Sequence, residues 1–184
     1  MACARRSGLR STGGQRGFTL IEVMIAVLIL LVGMLGVVGM QMLSLQANQG
    51  AYFRSQAIYI GSEILDAMRA NPTAAADYEG AFPDDGVPDE QTACLAGGCS
   101  PNDAALQDLR EWNAHFADVY NVGAANFRPS IPGGRAVITA DPVNDQYTVQ
   151  VFWTERQFDD DATDGANLRS SVEQNVTLTA VLTP

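Results

Sequence analysis

The hydrophobic pattern is dominated by one apolar segment close to the N-terminus. All 18 residues from Val23 to Met40 are apolar or glycine, and no comparable segment follows. The 23 residues from Phe18 to Met40 would form roughly 34 Å of α-helix, which is long enough to span a bilayer. The pattern therefore predicts a transmembrane helix, and a plain single-span anchor is its simplest interpretation.

Beyond Met40 the apolar residues narrow to a stripe at helical spacing, with polar residues on the other side of the helix. The stripe consists of Ala47, Ala51, Ile58, Leu65 and Met68, flanked by Tyr59, Gly61 and Ile64. Asn71-Pro72 is the first strong stop signal. The pattern predicts one helix from Phe18 to Arg69, with an apolar transmembrane half and an amphipathic soluble half.

After this helix the sequence predicts a loop and then a second helix. Residues 71–99 are rich in proline, glycine and acidic residues, so we expect an irregular loop. Ser100 has the side chain of an N-cap, Pro101 suits the first turn, and Asp103 follows three residues after the cap. The apolar stripe expected for this helix consists of Leu109, Trp112, Phe116 and Val119.

Alternating apolar and polar residues predict three strands in the last third of the chain. Their expected ranges are 135–140, 147–153 and 176–182. Residues 141–145 join the first two strands as a hairpin, and the polar, acidic residues 157–167 are expected to form a loop. A small antiparallel β-sheet head packed on the long N-terminal helix is the simplest arrangement of these elements, which places the chain in the α+β class.

Charge is distributed unevenly along the chain. Residues 1–17 contain four arginines and no acidic residue, whereas residues 18–184 contain seven arginines and 21 acidic residues. An acidic head repels phosphate backbones, so we expect no direct binding of nucleic acid. Arginines on the N-terminal side of the apolar segment predict a cytoplasmic N-terminus and a head on the other side of the membrane.

The residues ahead of the apolar segment form a specific motif. The sequence Gly17-Phe18-Thr19-Leu20-Ile21-Glu22-Val23, preceded by a short basic leader, resembles the prepilin cleavage and N-methylation site of type IV pilins and of type II secretion pseudopilins. The resemblance implies that a prepilin peptidase of the inner membrane cuts between Gly17 and Phe18 and methylates the new amine of Phe18. It also implies that Glu22 is the assembly glutamate.

The same resemblance divides the chain into three parts. Residues 1–17 are the cleaved prepilin leader, residues 18–40 the transmembrane and filament-core half of the helix, and residues 41–184 a periplasmic pilin head that includes the amphipathic half. Before assembly the protein is expected to be a single-pass protein of the inner membrane, and afterwards part of a cell-surface pilus.

Looser similarity over most of the head resembles the PilV family of minor pilins, the type IV pilus modification proteins. It rests on residues 56–72, Cys99, 108–112, 133–135 and 147–153. The resemblance implies a minor pilin that helps to initiate, assemble or modify type IV pili. Its implied partners are other minor pilins, the major pilin, the prepilin peptidase, the pilus assembly platform and the lipid bilayer. A type II secretion pseudopilin and a pilus-borne adhesin are the alternatives.

Glu22 also has a physical rationale that is independent of the resemblance. A carboxylate among apolar residues costs several kcal/mol unless it is paired or protonated. Cleavage ahead of Phe18 creates a free amine, and in a dry helical core the amine of a neighbouring subunit is the obvious cation for Glu22. Such a pair specifies register more than it adds net stability. The alternative is an interfacial acid that the bilayer tolerates.

Three cysteines are present, and Cys3 lies in the expected leader. The remaining pair, Cys94 and Cys99, indicates an oxidising compartment and a small disulfide loop in an exported domain. Half of a metal site is the alternative, but no further cysteine remains and His115 is the only histidine in the sequence. We therefore expect a disulfide between Cys94 and Cys99 and no metal there.

No enzyme motif is present in the sequence, so we expect neither catalytic activity nor a cofactor. There is no phosphate-binding loop, no Gly-x-Ser-x-Gly and no His-Glu-x-x-His. His115 lies beside Trp112 and Phe116 and is expected to be a packed or partly exposed residue. Both Trp112 and Trp153 are expected in the core, although an exposed tryptophan would suit adhesion.

The acidic residues 159–165 are similar to a calcium-binding loop in composition. In an EF-hand register that starts at Asp160, Ala162 occupies a ligand position and Ser171 occupies the position of the bidentate glutamate. A solvated acidic loop is therefore the preferred interpretation, with calcium binding as the alternative.

Overall fold

The computed structural model describes residues 17–141, 143–158 and 169–182. The chain divides into two compact units, one that ends at Ser44 and one that begins at Leu45. The helices are α1, Leu20–Ala70; α2, Thr92–Leu95; and α3, Pro101–Asn113; a 3-10 helix spans Pro72–Tyr78. The strands are β1, Gly80–Phe82; β2, Arg135–Asp141; β3, Gln146–Phe158; and β4, Arg169–Val181.

The long N-terminal helix predicted from the hydrophobic pattern is confirmed. α1 begins at Leu20 and ends at Ala70, within two residues of the predicted bounds. Part of one side of the helix is buried against the other elements of the second unit. The stop at Asn71-Pro72 has the expected cause, because proline lacks the N–H group that would continue the helix.

The buried side of α1 differs from the predicted stripe. Ala47, Ala51 and Ile58 are exposed, although the stripe placed them in the core. The buried residues of α1 are Ala57, Ile60, Gly61, Ile64, Leu65 and Met68. Both stripes satisfy a helical period, so the sequence pattern alone does not select one of them. The buried side is the one that packs on the core of the head, where the indole Nε1 of Trp112 donates to the carbonyl oxygen of Ile60 over 2.8 Å.

The connection between α1 and α3 is more regular than the sequence indicates. The prediction of an irregular loop over residues 71–99 is wrong, because this segment contains the 3-10 helix, β1 and α2. Tyr78 and Phe82 are buried there, and the Tyr78 hydroxyl donates to Oδ2 of Asp108 over 2.6 Å. Elements of three to seven residues are too short to show a clear period, so tertiary contacts determine them.

The second helix begins where the sequence predicts. Ser100 is the N-cap of α3, and its Oγ accepts a hydrogen bond from the backbone N–H of Asp103 over 3.2 Å. Phe116 and Val119 are buried as expected, but they lie beyond the end of the helix at Asn113. After Asn113 the chain continues in turns, and these turns still place apolar side chains in the core. The apolar stripe therefore extends past the helix and does not show where the helix ends.

The head contains one antiparallel sheet in the order β1-β2-β3-β4. β3 and β4 are longer than predicted, since each pairs with the other over 13 residues. The prediction of a loop from residue 157 and of a last strand from residue 176 is therefore wrong at both boundaries. Beyond Phe152, β3 pairs with β4 alone. The residues by which β3 and β4 exceed the prediction therefore have few side chains that must face the core. Their sequence does not alternate clearly between apolar and polar residues, so it did not indicate a strand.

α1 packs directly on one face of this sheet. Val149, Val151 and Trp153 of β3 alternate toward the core, as the sequence predicts. An added Cβ at Gly61 would lie 2.6 Å from Cδ1 of Leu178, so helix and sheet approach closely at this glycine. The predicted α+β class, with a long N-terminal helix packed on a small antiparallel sheet, is confirmed.

Candidate functional site

The predicted processing site lies ahead of α1. Gly17 and Phe18 belong to no helix or strand, and the Phe18 side chain is 84 % exposed. Apart from its chain neighbours, no described atom lies within 4 Å of a Cβ added at Gly17. The fold itself therefore does not require a glycine at this position.

Glu22 lies in the first turn of α1, in a local arrangement that the sequence analysis missed. The backbone N–H of Glu22 donates to Oγ1 of Thr19 over 3.3 Å and to the Thr19 carbonyl oxygen over 3.1 Å. Threonine followed three residues later by glutamate has the spacing of a capping box, and that spacing could have revealed Thr19. An acidic side chain is also favourable beside the positive end of the helix dipole. Glu22 is thus suited to starting the helix, independently of any other subunit.

The apolar half of α1 is uncovered in the described part of its unit. Its large apolar residues from Leu20 to Leu43 are all half exposed or more, with values between 50 % at Val27 and 79 % at Leu20. By length and composition, α1 is apolar enough to cross a membrane. An apolar surface of this extent is unfavourable in water, so a bilayer or other helices must cover it.

In the head, Cys94 and Cys99 are joined by a disulfide bond, with their Cα atoms 4.3 Å apart. The predicted disulfide is confirmed. It closes the segment that contains α2 and ends immediately before Ser100, the N-cap of α3. Because both sulfur atoms are used in this bond, the alternative of a thiolate metal site is not supported.

His115 connects α1 with the segment that precedes β2. Its Nδ1 lies 2.8 Å from Oγ of Ser130, and its Nε2 lies 3.0 Å from Oε2 of Glu63. The side chain is 23 % exposed, which agrees with a packed, partly exposed residue. Trp112 and Trp153 are both buried in the core, as predicted, so neither presents an aromatic surface for adhesion.

Hydrogen bonds help to shift the pKa values of two ionisable groups of the head, Tyr78 and Asp141, and burial raises the pKa of a third, Tyr147. Burial, and next the hydrogen bond to Asp108, raise the pKa of the Tyr78 phenol above its usual range. In the β2–β3 turn, hydrogen bonds from the Asn144 side chain and then from the backbone N–H of Val143 lower the pKa of Asp141. At neutral pH the phenol is therefore protonated and the carboxylate ionised. Both groups stabilise local structure and neither is made reactive.

Among residues 17–141, 143–158 and 169–182, no group of three or more His, Cys, Asp or Glu side chains is placed to hold a metal ion. The acidic residues 159–165 lie outside this described part of the chain. The expectation of a solvated loop there stays a prediction.

Two family models match consecutive parts of the chain. The model for the prokaryotic N-terminal methylation motif matches residues 13–38, and the model for type IV pilin Tt1218 matches residues 39–110. The chain belongs to the type IV pilin superfamily. Neither the curated proteins nor the solved structures contain a significant match to this pilin.

Membership of this superfamily gives the chain a structural role and not an enzymatic one. The protein is a type IV pilin subunit, anchored in the membrane by its apolar helix, that assembles with other pilins in the pilus. The methylation-motif match includes Gly17, Phe18 and Glu22, and the pilin match ends within α3. Strands β2, β3 and β4 follow the matched region and complete the sheet.

Proposed function

We propose that this pilin is a minor subunit of the pilus modification (PilV) type, which helps to initiate, assemble or modify type IV pili. The observation that carries the proposal is the apolar half of α1, which begins with the Thr19–Glu22 cap and which the described chain leaves uncovered. A subunit that joins a bundle of like helices buries this surface, and a free head does not.

The head supports a minor pilin of this type through the segments that resemble that family. Residues 56–72 and 108–112 contact each other through the hydrogen bond from Trp112 to the Ile60 carbonyl oxygen. Two of the resembling segments therefore meet where α3 contacts α1.

In this proposal residues 1–17 are a leader that prepilin peptidase removes between Gly17 and Phe18. The peptidase then methylates the Phe18 amine. The exposed Phe18 side chain and the open space around Gly17 suit a segment that has to enter another protein's active site.

Glu22 is the proposed assembly residue. Its side chain is exposed in the isolated subunit. In a fibre with a dry helical core, its carboxylate would pair with the Phe18 amine of a neighbouring subunit, and the pair would set the register between the two helices. The Thr19 cap holds the backbone of Glu22 at a defined position in the first turn.

The proposed topology places the N-terminus in the cytoplasm and the head, residues 41–184, in the periplasm before assembly. The arginine-rich leader supports this orientation, and the Cys94–Cys99 disulfide supports an oxidising compartment for the head. The proposed partners are other minor pilins, the major pilin, the peptidase and the assembly platform.

Deletion of the gene tests the proposal when surface pili, twitching and exported enzymes are measured in the same strains. We expect fewer pili and weaker twitching, with normal enzyme export, and restoration by the full-length chain. Normal pili with defective export would instead identify a pseudopilin of type II secretion. Normal pili together with normal export would contradict the proposal.

A further inference from the structure

The two edges of the sheet differ greatly in length. β1 contains three residues, whereas β4 contains 13 and pairs on one side with β3. Within the described residues, no strand pairs with the other side of β4. A long edge strand presents a row of free backbone N–H and C=O groups to which another strand can pair.

The register shows which residues carry these free groups. The backbone N–H of Leu182 donates to the carbonyl oxygen of Asp145 over 3.0 Å, directly beyond the pair Gln146↔Val181. Hydrogen-bonded pairs alternate along an antiparallel ladder. Even-numbered residues of β4 therefore bond to β3, and odd-numbered residues direct their backbone groups to the open edge. The residues concerned are Arg169, Ser171, Glu173, Asn175, Thr177, Thr179 and Val181.

β4 lacks the features that normally prevent strand addition. Residues 174–181 contain no charged residue and no proline, and the pairing with β3 has no bulge. The one acidic residue in the described edge, Glu173, is held by Arg135, whose Nη2 lies 2.9 Å from its Oε1. Most of the edge is therefore free to pair.

The side chains of β4 define what such a strand must look like. Val176 and Leu178 face α1 and pack on the core, but both are only partly buried. Thr177 and Thr179 are exposed on the opposite face of the sheet. An added strand would extend both faces, so it needs apolar residues toward α1 alternating with uncharged polar residues on the other side.

We propose that β4 binds an extended segment of a different pilin chain by strand addition, with apolar and uncharged polar residues alternating along that segment. A second copy of this chain fits poorly. In a head-to-tail arrangement the other edge of its sheet is β1, which offers three residues to a strand of 13. In a two-fold pairing of β4 with β4, the α1 helices of the two copies would run in opposite directions, which subunits anchored in one membrane in the same orientation cannot do. The proposal rests on the proposed function, since it supposes that the subunit is assembled beside other pilins.

Site-specific photocrosslinking in piliated cells tests this contact with the full-length chain. p-Benzoylphenylalanine placed at Thr179 lies on the open edge. The matched control is the same group at Thr148, which is directly opposite on the central strand β3 and on the same face of the sheet. We expect a covalent adduct with another pilin from Thr179, in at least about tenfold higher yield than from Thr148.

Backbone substitution separates strand addition from a side-chain contact. Thr177→Pro removes an N–H group that points to the open edge and leaves the bonds to β3 in place, whereas Thr177→Val keeps the N–H group. Both variants lose the weak contact between Thr177 Oγ1 and Gln150 Nε2. We expect the proline variant to lower the Thr179 adduct about tenfold and the valine variant to leave it unchanged.

Membrane abundance and the oxidised state of Cys94 and Cys99 report whether each variant folds. If Thr177→Pro lowers the membrane abundance of the protein, Asn175→Pro is used in its place, because it removes another backbone N–H group that points to the open edge. Equal adducts from Thr179 and Thr148, an adduct with a second copy of this chain, or an adduct that persists in a folded proline variant would overturn the proposal. If the subunit still enters pili in those cases, strand addition by a different pilin is wrong and the minor-pilin function stands.

Discussion

At the residue scale, the described part of the chain gives Gly17 no structural role, because none of its atoms beyond the chain neighbours lies near a side chain added at this position. Gly17→Val should therefore leave α1 intact but block cleavage, since the peptidase has to bring the backbone close at this bond. Mass spectrometry of the membrane-bound protein should find a mature form that starts with N-methylated Phe18 in the wild type and an uncut precursor in the variant. Gly39→Ala, which also has open space, is the matched control and should be cut normally. A wild-type protein with an intact Met1 terminus in piliated cells would contradict processing.

Tyr78 makes the free energy of unfolding of the head depend on pH in the alkaline range. Burial and the bond to Asp108 raise the pKa of its phenol above that of the unfolded chain. The neutral phenol therefore stabilises the head fully below about pH 10, the usual pKa of tyrosine. This contribution declines above that pH and is lost as the pH rises through the raised pKa of the folded head. Tyr78→Phe should lower the free energy of unfolding by about 1 kcal/mol at neutral pH and flatten its decline above about pH 10.

The measurement for Tyr78 is urea unfolding of the full-length chain in detergent, followed by the fluorescence of Trp112 and Trp153. Tyr59→Phe is the control, because the Tyr59 side chain is 62 % exposed. An equally steep alkaline decline in wild type and Tyr78→Phe would show that another group causes it.

At the element scale, the sequence predicts those elements that carry a strong local signal. The apolar run and the stop at Asn71-Pro72 predict α1, and the Ser100 cap predicts the start of α3. The alternation from Val149 to Trp153 predicts the centre of β3. In the candidate site, the motif around Glu22 suggests a role, and the Thr19 cap was open to prediction from its spacing.

The elements that the sequence does not predict depend on tertiary contacts. β1 has three residues and pairs with β2 through Gly80, Ala81 and Phe82, in a segment with no period. The buried side of α1 depends on where Trp112 packs. The outer end of the β3–β4 ribbon lies beyond β2, so alternation in its sequence is weak.

The turn into β2 depends on a close approach at Gly134. An added Cβ there would lie 2.7 Å from Cγ1 of Ile131, 3.0 Å from Cδ1 of Phe116 and 3.1 Å from the Ile131 carbonyl oxygen. Gly134→Ala should therefore lower the free energy of unfolding by about 1–3 kcal/mol through overpacking. Gly98→Ala, where a Cβ has open space, should change it by no more than about 0.5 kcal/mol. Denaturant unfolding measures both, and equal effects would contradict the close approach.

The disulfide belongs to the same scale, because it fixes one short segment ahead of α3. Replacing Cys94 and Cys99 together by serine should cost roughly 2 kcal/mol, as expected for a loop of this length. Hydrogen exchange should accelerate in residues 90–103 and stay unchanged in the sheet. Thiol labelling of wild-type protein folded in the periplasm checks the bond itself, and two reactive cysteines would refute it.

At the scale of the whole molecule, the chain combines a head with its own core and an apolar helix half that the described chain does not cover. Burial within the head accounts for the fold of the unit from Leu45 onward. The apolar half needs a bilayer or other subunits instead. The central claim is that pairing of the Glu22 carboxylate with the Phe18 amine of a neighbouring subunit allows this helix half to leave the membrane and join the fibre.

Glu22→Gln tests that claim because glutamine, like glutamate, suits the N3 position of a capping box that begins at Thr19. The variant therefore removes the charge and keeps the start of α1. Glu22→Val removes both the charge and the polar group. Membrane insertion and cleavage after Gly17 should persist in both variants, since the apolar segment and the cleavage site are unchanged. What should fail is assembly, because the incoming Phe18 amine would enter the core unpaired at a cost of several kcal/mol.

The most direct measurement is the amount of mature protein in sheared pili relative to the inner membrane, with pilus number counted in the same cells. For Glu22→Gln we expect the cleaved protein to stay in the inner membrane and to be lost from the sheared fraction. The cells should carry fewer pili, and the appearance of those pili should be unchanged. Wild-type incorporation and wild-type pilus number for both Glu22→Gln and Glu22→Val would contradict the account.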